Sequence, residues 1–205
     1  MRISVPFAAA AILLLGGCVS LLPKQEPAQL YRFGVGTEVA AQPTGAPQPR
    51  FGVQLLPLDF NRASSGDLIL TVDGNQAAYI KGSRWVSGAS TLFEQALARS
   101  FDADQGPARL MARGELVRAD YFLKLNVRTF ETRYLQGRGA APTVVVEIYA
   151  TLSQPSDRTL LGGRMFAASI PASDNRVGAI TAAYDTAVAQ TLGQVVKWVD
   201  AKGAG

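Results

Sequence analysis

Cys18 is the one cysteine of this 205-residue chain, and it is the residue with the clearest capacity for chemistry. It follows an apolar run over residues 5–15 and two small glycines, while Arg2 places a positive charge near the start. A positive start, a short apolar run and small residues before a cleavage site are typical of a secretory signal peptide. The pattern therefore predicts a signal peptide over residues 1–17 and export of the chain that follows.

The position of the cysteine directly after the two glycines resembles the lipobox of bacterial lipoproteins. This resemblance implies that Cys18 carries a diacylglycerol and an N-acyl lipid such as palmitate, and that it becomes the first residue of the mature chain. One acyl chain gives only reversible membrane binding, whereas two or more hold a protein firmly. Two alternatives are a retained span over Ile3–Leu22, which has the length of roughly 20 residues but is interrupted by Pro6 and the glycines, and a plain cleaved signal.

Catalytic and metal chemistry is restricted by what the sequence lacks. It contains no histidine, and lipidation of Cys18 would leave no free thiol. Histidine is the commonest metal ligand and the usual general base near neutral pH, so Cys/His zinc sites and Ser-His-Asp or Cys-His catalysis are excluded. The acidic residues Asp59, Asp73 and Glu94 have no visible base–nucleophile pair beside them. We therefore expect a protein that is not an enzyme and needs no metal or other cofactor.

The charge and the proline content outline the organisation of the chain. The net charge of +4 comes from scattered basic residues rather than from the clustered basic face that nucleic acids require. Residues 18–49 are rich in proline and poor in periodicity, which predicts a lipidated N-terminus and tether with a possible edge strand over residues 30–33. Residues 50–201 are predicted to form a single α+β periplasmic domain.

The first strands of this domain are predicted from alternation and turn chemistry. Apolar side chains alternate over residues 51–55, which indicates a half-buried strand. Two apolar runs, 68–72 and 76–80, flank the turn-forming sequence Asp73-Gly74-Asn75. An Asp-Gly pair between two apolar runs predicts a β-hairpin.

A second group of strands is predicted from three longer alternating segments. They cover residues 121–128, 144–153 and 160–170, and turn residues separate the last two. Apolar side chains fall on one side of each segment and polar side chains on the other. The pattern predicts an antiparallel meander that needs one covering layer.

Two amphipathic helices can supply that layer. Thr91 and Glu94 have the spacing of a capping box at the start of the first helix. The second helix is predicted from Ser173 or Asp174, either of which suits the N-cap, to Ala201, with an apolar stripe at helical spacing. The predicted fold class is therefore α+β: an antiparallel or mixed β-sheet with two amphipathic helices covering one face.

The order of these features resembles a known family. The sequence Leu58-Asp59-Phe60-Asn61-Arg62 leads to a strand, the turn at residues 73–75, Tyr79, Arg84-Trp85 and an amphipathic helix, all behind a lipobox. This order is similar to that of the ABC-type transport auxiliary lipoproteins, the PqiC-like components of Mce-type lipid transport systems. The similarity extends over about residues 30–199.

The resemblance implies a location and a set of partners. It implies a non-catalytic lipoprotein on the periplasmic face of the outer membrane that works with a periplasmic Mce-domain protein and an inner-membrane ABC permease and ATPase. The cargo would be phospholipid or another apolar molecule. A homo-oligomer is a further expectation. The alternative function is an envelope-structural or assembly lipoprotein that binds peptidoglycan or an outer-membrane protein.

Four residues are candidates for lipid or partner binding. Trp85 and Tyr79 are aromatic residues of the kind enriched at interfaces, although large aromatic residues also dominate cores. Arg62 and Arg84 can pair with lipid phosphates or with carboxylates of a partner, or donate to loop carbonyls instead.

Overall fold

The computed structural model describes residues 27–35 and 50–204, so Cys18 and the predicted signal peptide lie outside the described residues. The described chain forms nine strands and three helices. In chain order they are β1 Gln29–Tyr31, β2 Phe51–Leu55, β3 Asp59–Phe60, α1 Arg62–Ser65, β4 Leu68–Asp73, β5 Gln76–Trp85, α2 Ala89–Ala103, β6 Ala108–Leu110, β7 Tyr121–Arg133, β8 Thr143–Ser153, β9 Leu160–Pro171 and α3 Val177–Gly203. Within these ranges, no helix has the length and apolarity needed to cross a bilayer.

Strand β7 is the central strand of a single mixed sheet. Along one edge it pairs with β8, antiparallel, from Phe122 to Arg133. Along the other edge it pairs in turn with the short parallel strands β2, β3 and β4. Strand β6 extends the sheet beyond β2, whereas β5 and then β1 extend it beyond β4. The sheet is therefore mixed and open, and the predicted fold class is confirmed.

The local sequence patterns identified most of this sheet correctly. The hairpin β4–β5 turns at residues 73–76, and Gly74 there has a φ of 56°, a conformation that glycine adopts without steric cost. Strands β7, β8 and β9 form the predicted antiparallel meander. Two strands extend further than predicted: β5 continues to Trp85 rather than Ile80, and β7 to Arg133 rather than Arg128. The predicted edge strand at residues 30–33 is present as β1, shifted towards the N-terminus.

Helices α2 and α3 cover one face of the sheet. The apolar stripe predicted for each helix is buried, and α3 contributes the larger share of the core with side chains from Ile180 to Val199. Tyr184 is completely buried among the aromatic rings of Phe130 and Trp85, and this burial raises the pKa of its hydroxyl well above the usual range.

The opposite face of the meander is mainly polar on β7, as the alternation predicts, whereas β8 and β9 also place apolar side chains there, among them Met165. There the guanidinium of Arg128 lies 4.8 Å from the ring centre of Tyr149. The hydroxyl of Thr129 donates a hydrogen bond to the carboxylate of Glu147 on the neighbouring strand. An antiparallel sheet can leave such a face to solvent because its polar side chains need no covering layer.

Both predicted helix caps were wrong. Helix α2 begins at Ala89, so Thr91 lies inside it, and the backbone N–H of Ala89 donates to the carbonyl of Gly66 at 2.9 Å. Helix α3 begins at Val177, after Arg176, rather than at Ser173 or Asp174.

Candidate functional site

The segment Phe33–Val35 fastens the N-terminal part of the chain into the domain. Phe33 is 1% exposed, and its ring packs against those of Trp85 and Phe130 at centroid distances of 5.0 and 5.2 Å. We call this segment the anchor clasp, and through Phe33 it forms part of the hydrophobic core.

The backbone of the anchor clasp is held by both covering helices. The N–H groups of Gly34 and Val35 donate to one carboxylate oxygen of Asp185 on α3, at 2.6 and 3.1 Å. The guanidinium of Arg99 on α2 donates to the carbonyl of Gly34. Gly34 has a φ of 73°, and a Cβ there would lie 2.5 Å from the Cβ of Ala96, so only glycine fits.

Strand β1 precedes the anchor clasp, and the alternation of side chains along the chain decides which residues it exposes. Side chains of a strand point to opposite faces in turn. Because Tyr31 and Phe33 pack inward, Leu30 and Arg32 point outward, and both are exposed. Leu30 lies directly opposite Arg84 of β5.

Two residues of the β5 side complete this surface. The backbone N–H of Val86 donates to the carbonyl of Tyr31, which continues the pairing of β1 with β5 by one residue. The exposed side chains of the two segments thus form a block in which apolar and basic residues alternate, namely Leu30, Arg32, Arg84 and Val86. We call it the β1–β5 patch. Leu30 and Val86 are exposed over 64% and 51% of their surface, so both belong to the large apolar side chains that the described chain leaves in water.

The structure separates the four residues that the sequence singled out. Trp85 is 2% exposed and lies in the core beneath the β1–β5 patch, so the alternative interpretation of it as a core aromatic is confirmed. Arg84 lies in the patch, and its guanidinium pairs with the carboxylate of Asp67 at 2.8 Å.

Tyr79 lies beside α1 and Arg62 within it, so neither is in the patch. The hydroxyl of Tyr79 donates to the carbonyl of Ala63 at 3.0 Å, and 45% of the Tyr79 side chain remains exposed. Arg62 is the exposed first residue of α1. Three of the four candidates are therefore accessible, and they lie on or near the strands β4 and β5.

Sequence reasoning missed Leu30, Arg32, Val86 and the anchor clasp. The alternation of Leu30, Tyr31, Arg32 and Phe33 was visible, but its length is too short to show which side is buried. The glycine after Phe33 was the one local signal for a close backbone approach.

Several charged residues elsewhere in the described chain form ion pairs. Arg109 binds Glu115 through two hydrogen bonds, at 2.7 and 3.0 Å. The hydrogen bonds from Arg109 lower the pKa of Glu115, and the backbone N–H of Ala112 lowers it further. Arg113 pairs with Glu94 at 2.6 Å. These two pairs lie along a surface depression of about 230 Å³ between β2, α2 and the chain after β6.

A pair of carboxylates lies at the C-terminal end of α3. Asp200 accepts a hydrogen bond from the N–H of Ala108, and Asp104 accepts one from the N–H of Gly106. Partial burial and the neighbouring Asp104 raise the pKa of Asp200 to about 6, against the opposing effect of the Ala108 hydrogen bond. Over residues 27–35 and 50–204, the structure contains no group of three His, Cys, Asp or Glu side chains that could hold a metal ion.

The fold and this surface define a class of protein: an α+β domain with a mixed sheet, covered on one face by two helices, whose N-terminal segment is fastened into the core. A family model described as ABC-type transport auxiliary lipoprotein component matches residues 32–196. The chain belongs to this family, and the predicted resemblance is confirmed. The family name implies association with an ABC transport system and attachment to a membrane through lipid.

Solved structures share the fold. Protein XCC0632 from Xanthomonas campestris is 24% identical, with a TM-score of 0.73, and the match covers 86% of this chain and 97% of that one. An uncharacterised protein is 13% identical, with a TM-score of 0.65 and coverage of 85% and 99%. The hypothetical protein CT253 from Chlamydia trachomatis is 11% identical, with a TM-score of 0.51 and coverage of 75% and 98%. These likenesses concern the fold alone. No curated protein matches the chain.

Proposed function

We propose that this protein is a periplasmic lipoprotein, anchored to the outer membrane through lipid on Cys18, that serves as an accessory subunit of an Mce-type ABC transport system. The system would move phospholipid or another apolar molecule between the two membranes. Family membership and the pattern around Cys18 support the proposal. The observation that carries it is the anchor clasp, which joins the chain leading from Cys18 to the core of the domain.

The proposed mechanism is tethering. The lipid on Cys18 would be connected to the core of the domain through the anchor clasp. It would therefore hold the whole domain close to one membrane. Linking two binding partners in this way raises their effective concentration to about the millimolar range without any new contact. The domain would dock the periplasmic Mce-domain protein, which works with the inner-membrane permease and ATPase, and keep its distal end near the outer membrane.

The proposal assigns no catalytic step to this chain. Two ion pairs lie near the surface, Arg109 with Glu115 and Arg113 with Glu94. In each pair the guanidinium neutralises the carboxylate, and neither pair activates a nucleophile. ATP hydrolysis would occur in the ATPase of the transporter, and movement of the apolar cargo through the Mce-domain protein.

The first experiment tests the anchor. In the native host, mass spectrometry of the mature N-terminal peptide is expected to find acyl chains on Cys18, and Cys18→Ala is expected to abolish them. Separation of the two membranes on a density gradient is expected to place the wild-type protein in the outer-membrane fraction. An unmodified Cys18, or recovery in the inner-membrane fraction, would contradict this part of the proposal.

The second experiment tests the partners. The protein is affinity-purified from detergent-solubilised envelopes, and the proteins and lipids that accompany it are identified by mass spectrometry. We expect an Mce-domain protein together with a permease and an ATPase. Recovery of peptidoglycan fragments or an outer-membrane protein without these partners would instead support the alternative, an envelope-structural or assembly lipoprotein.

A further inference from the structure

We propose that the β1–β5 patch rests on the membrane and binds anionic phospholipid headgroups, with Leu30 and Val86 in the interfacial layer and Arg32 and Arg84 at the level of the phosphates. This inference depends on the anchoring at Cys18 that is part of the proposed function. It adds the orientation of the domain and the chemical class of its ligand.

The length of chain between the anchor and the domain limits which faces can reach the bilayer. Gln29, where β1 begins, follows Cys18 by 11 residues. Fully extended, these residues span about 36–40 Å. A domain of this size is roughly 40 Å across, so the path over its surface to the far side is about 60 Å. The tether is too short for that path, so the far side is kept away from the membrane while the surface around β1 stays within reach of it.

The anchor clasp keeps this geometry fixed. Because Phe33 is buried and Gly34 is bonded to both α2 and α3, β1 cannot be drawn away from the domain without exposing the core. The lipid anchor therefore keeps one defined side of the domain within reach of the bilayer, and the chemistry of the patch decides whether that side makes contact.

The chemistry of the patch suits a membrane surface. Its aliphatic side chains are exposed in water, and moving them into the interfacial layer removes apolar surface from water. Arginine forms bidentate hydrogen bonds with phosphate. The pair between Arg84 and Asp67 does not prevent this, because both side chains are about half exposed and such pairs stabilise little.

The experiment uses the lipidated, full-length mature protein in vesicles of phosphatidylethanolamine and phosphatidylglycerol. Since the lipid occupies Cys18, an introduced cysteine is the one free thiol and can carry a fluorophore. Leu30→Cys tests the patch. Leu160→Cys is the matched control, because Leu160 is a leucine of similar exposure, 61%, on β9 at the opposite edge of the sheet. The two edges are five strand spacings apart, about 24 Å.

Vesicle lipids that carry a quencher near the headgroup then report contact. We expect quenching at position 30 to exceed quenching at position 160 by at least severalfold. Replacing phosphatidylglycerol with phosphatidylcholine, or introducing Arg32→Gln with Arg84→Gln, is expected to remove most of this difference. The reason is that each basic residue near an anionic surface strengthens binding about fivefold.

Several results would overturn the inference. Equal quenching at the two positions would do so, and so would quenching at position 30 that persists without anionic lipid. Shielding of position 30 that requires added periplasmic protein would instead make the patch a protein-docking surface. Mass spectrometry of the same preparation separates this inference from the proposed function. Missing lipid on Cys18 refutes the anchor, whereas lipidated protein with equal quenching refutes only the membrane contact.

Discussion

Replacement of Phe33 by alanine tests whether the anchor clasp belongs to the core. The side chain is 1% exposed and contacts the rings of Trp85 and Phe130. Removing a buried phenylalanine side chain costs about 3–5 kcal/mol, because apolar contacts are lost and a cavity remains. For a domain of this size, each kcal/mol lowers Tm by about 2–4 °C. Phe33→Ala should therefore lower Tm by about 6–20 °C.

The measurement is thermal unfolding of the mature protein in detergent, followed by circular dichroism. Leu30→Ala provides the matched control, because Leu30 lies on the adjacent strand but is 64% exposed. Substitutions at exposed positions usually change the free energy of unfolding by less than about 0.5 kcal/mol, so Leu30→Ala should shift Tm by less than about 2 °C. Equal effects of the two substitutions, or a shift below about 2 °C for Phe33→Ala, would refute the burial of the anchor clasp.

Two further substitutions test other close contacts. Gly34→Ala should destabilise the domain by more than about 2 kcal/mol, since a left-handed alanine costs about 1–2 kcal/mol and its Cβ would overlap that of Ala96; thermal unfolding close to that of wild type would contradict this. The pKa of Asp200 is raised to about 6 from 3.8, so the folded state binds more protons than the unfolded state between these values and stability falls as pH rises through this range. Asp200→Asn keeps an acceptor for the N–H of Ala108 and removes repulsion from Asp104. Because Asp200 is half-exposed, we expect the free energy of unfolding to rise by only about 1 kcal/mol at pH 7.5. This gain should fade towards pH 4. Urea unfolding at both pH values measures it, and a gain that is independent of pH would show that the carboxylate pair is not its cause.

The parts of the fold that the sequence predicted well depend on local physics. Strands β7, β8 and β9 are long enough for alternation to identify their buried side, and the Asp-Gly turn determines the hairpin β4–β5. Their pairing also joins neighbours in the sequence. Helix α3 has a stripe long enough to define its core face.

The helix caps show where local patterns fail. Asn175, close to the predicted start of α3, donates to the carbonyl of Arg138 and accepts a hydrogen bond from the hydroxyl of Tyr134. Asp174 pairs with Arg176. Asn175 is used in contacts with the β7–β8 connection and Asp174 in a pair within its own loop, and the helix begins later. A cap pattern describes what a side chain can do locally, and tertiary partners decide whether it does so.

The parallel strand pairs of β7 and the contacts of the anchor clasp could not be predicted, because they join residues that are far apart in the sequence. Phe33 reaches Phe130, and Gly34 reaches Asp185 at a separation of 151 residues. Strands β3 and β1 have two and three residues, too few for a periodic signal. Their positions depend on long-range packing that no local segment encodes.

The exposure of the β1–β5 patch depends on one irregularity in β5. Tyr79 and Trp85 are six residues apart, and an even separation places two side chains on the same face of a regular strand. In the structure, two steps along β4 correspond to five steps along β5, and Gly82 in this bulge has a φ of 69°. The three extra residues reverse the alternation. Trp85 therefore points into the core although Tyr79 points outward, and the same reversal turns Arg84 outward beside Leu30. The sequence suggests that the two aromatic residues belong together, whereas the bulge divides them between the core and the surface.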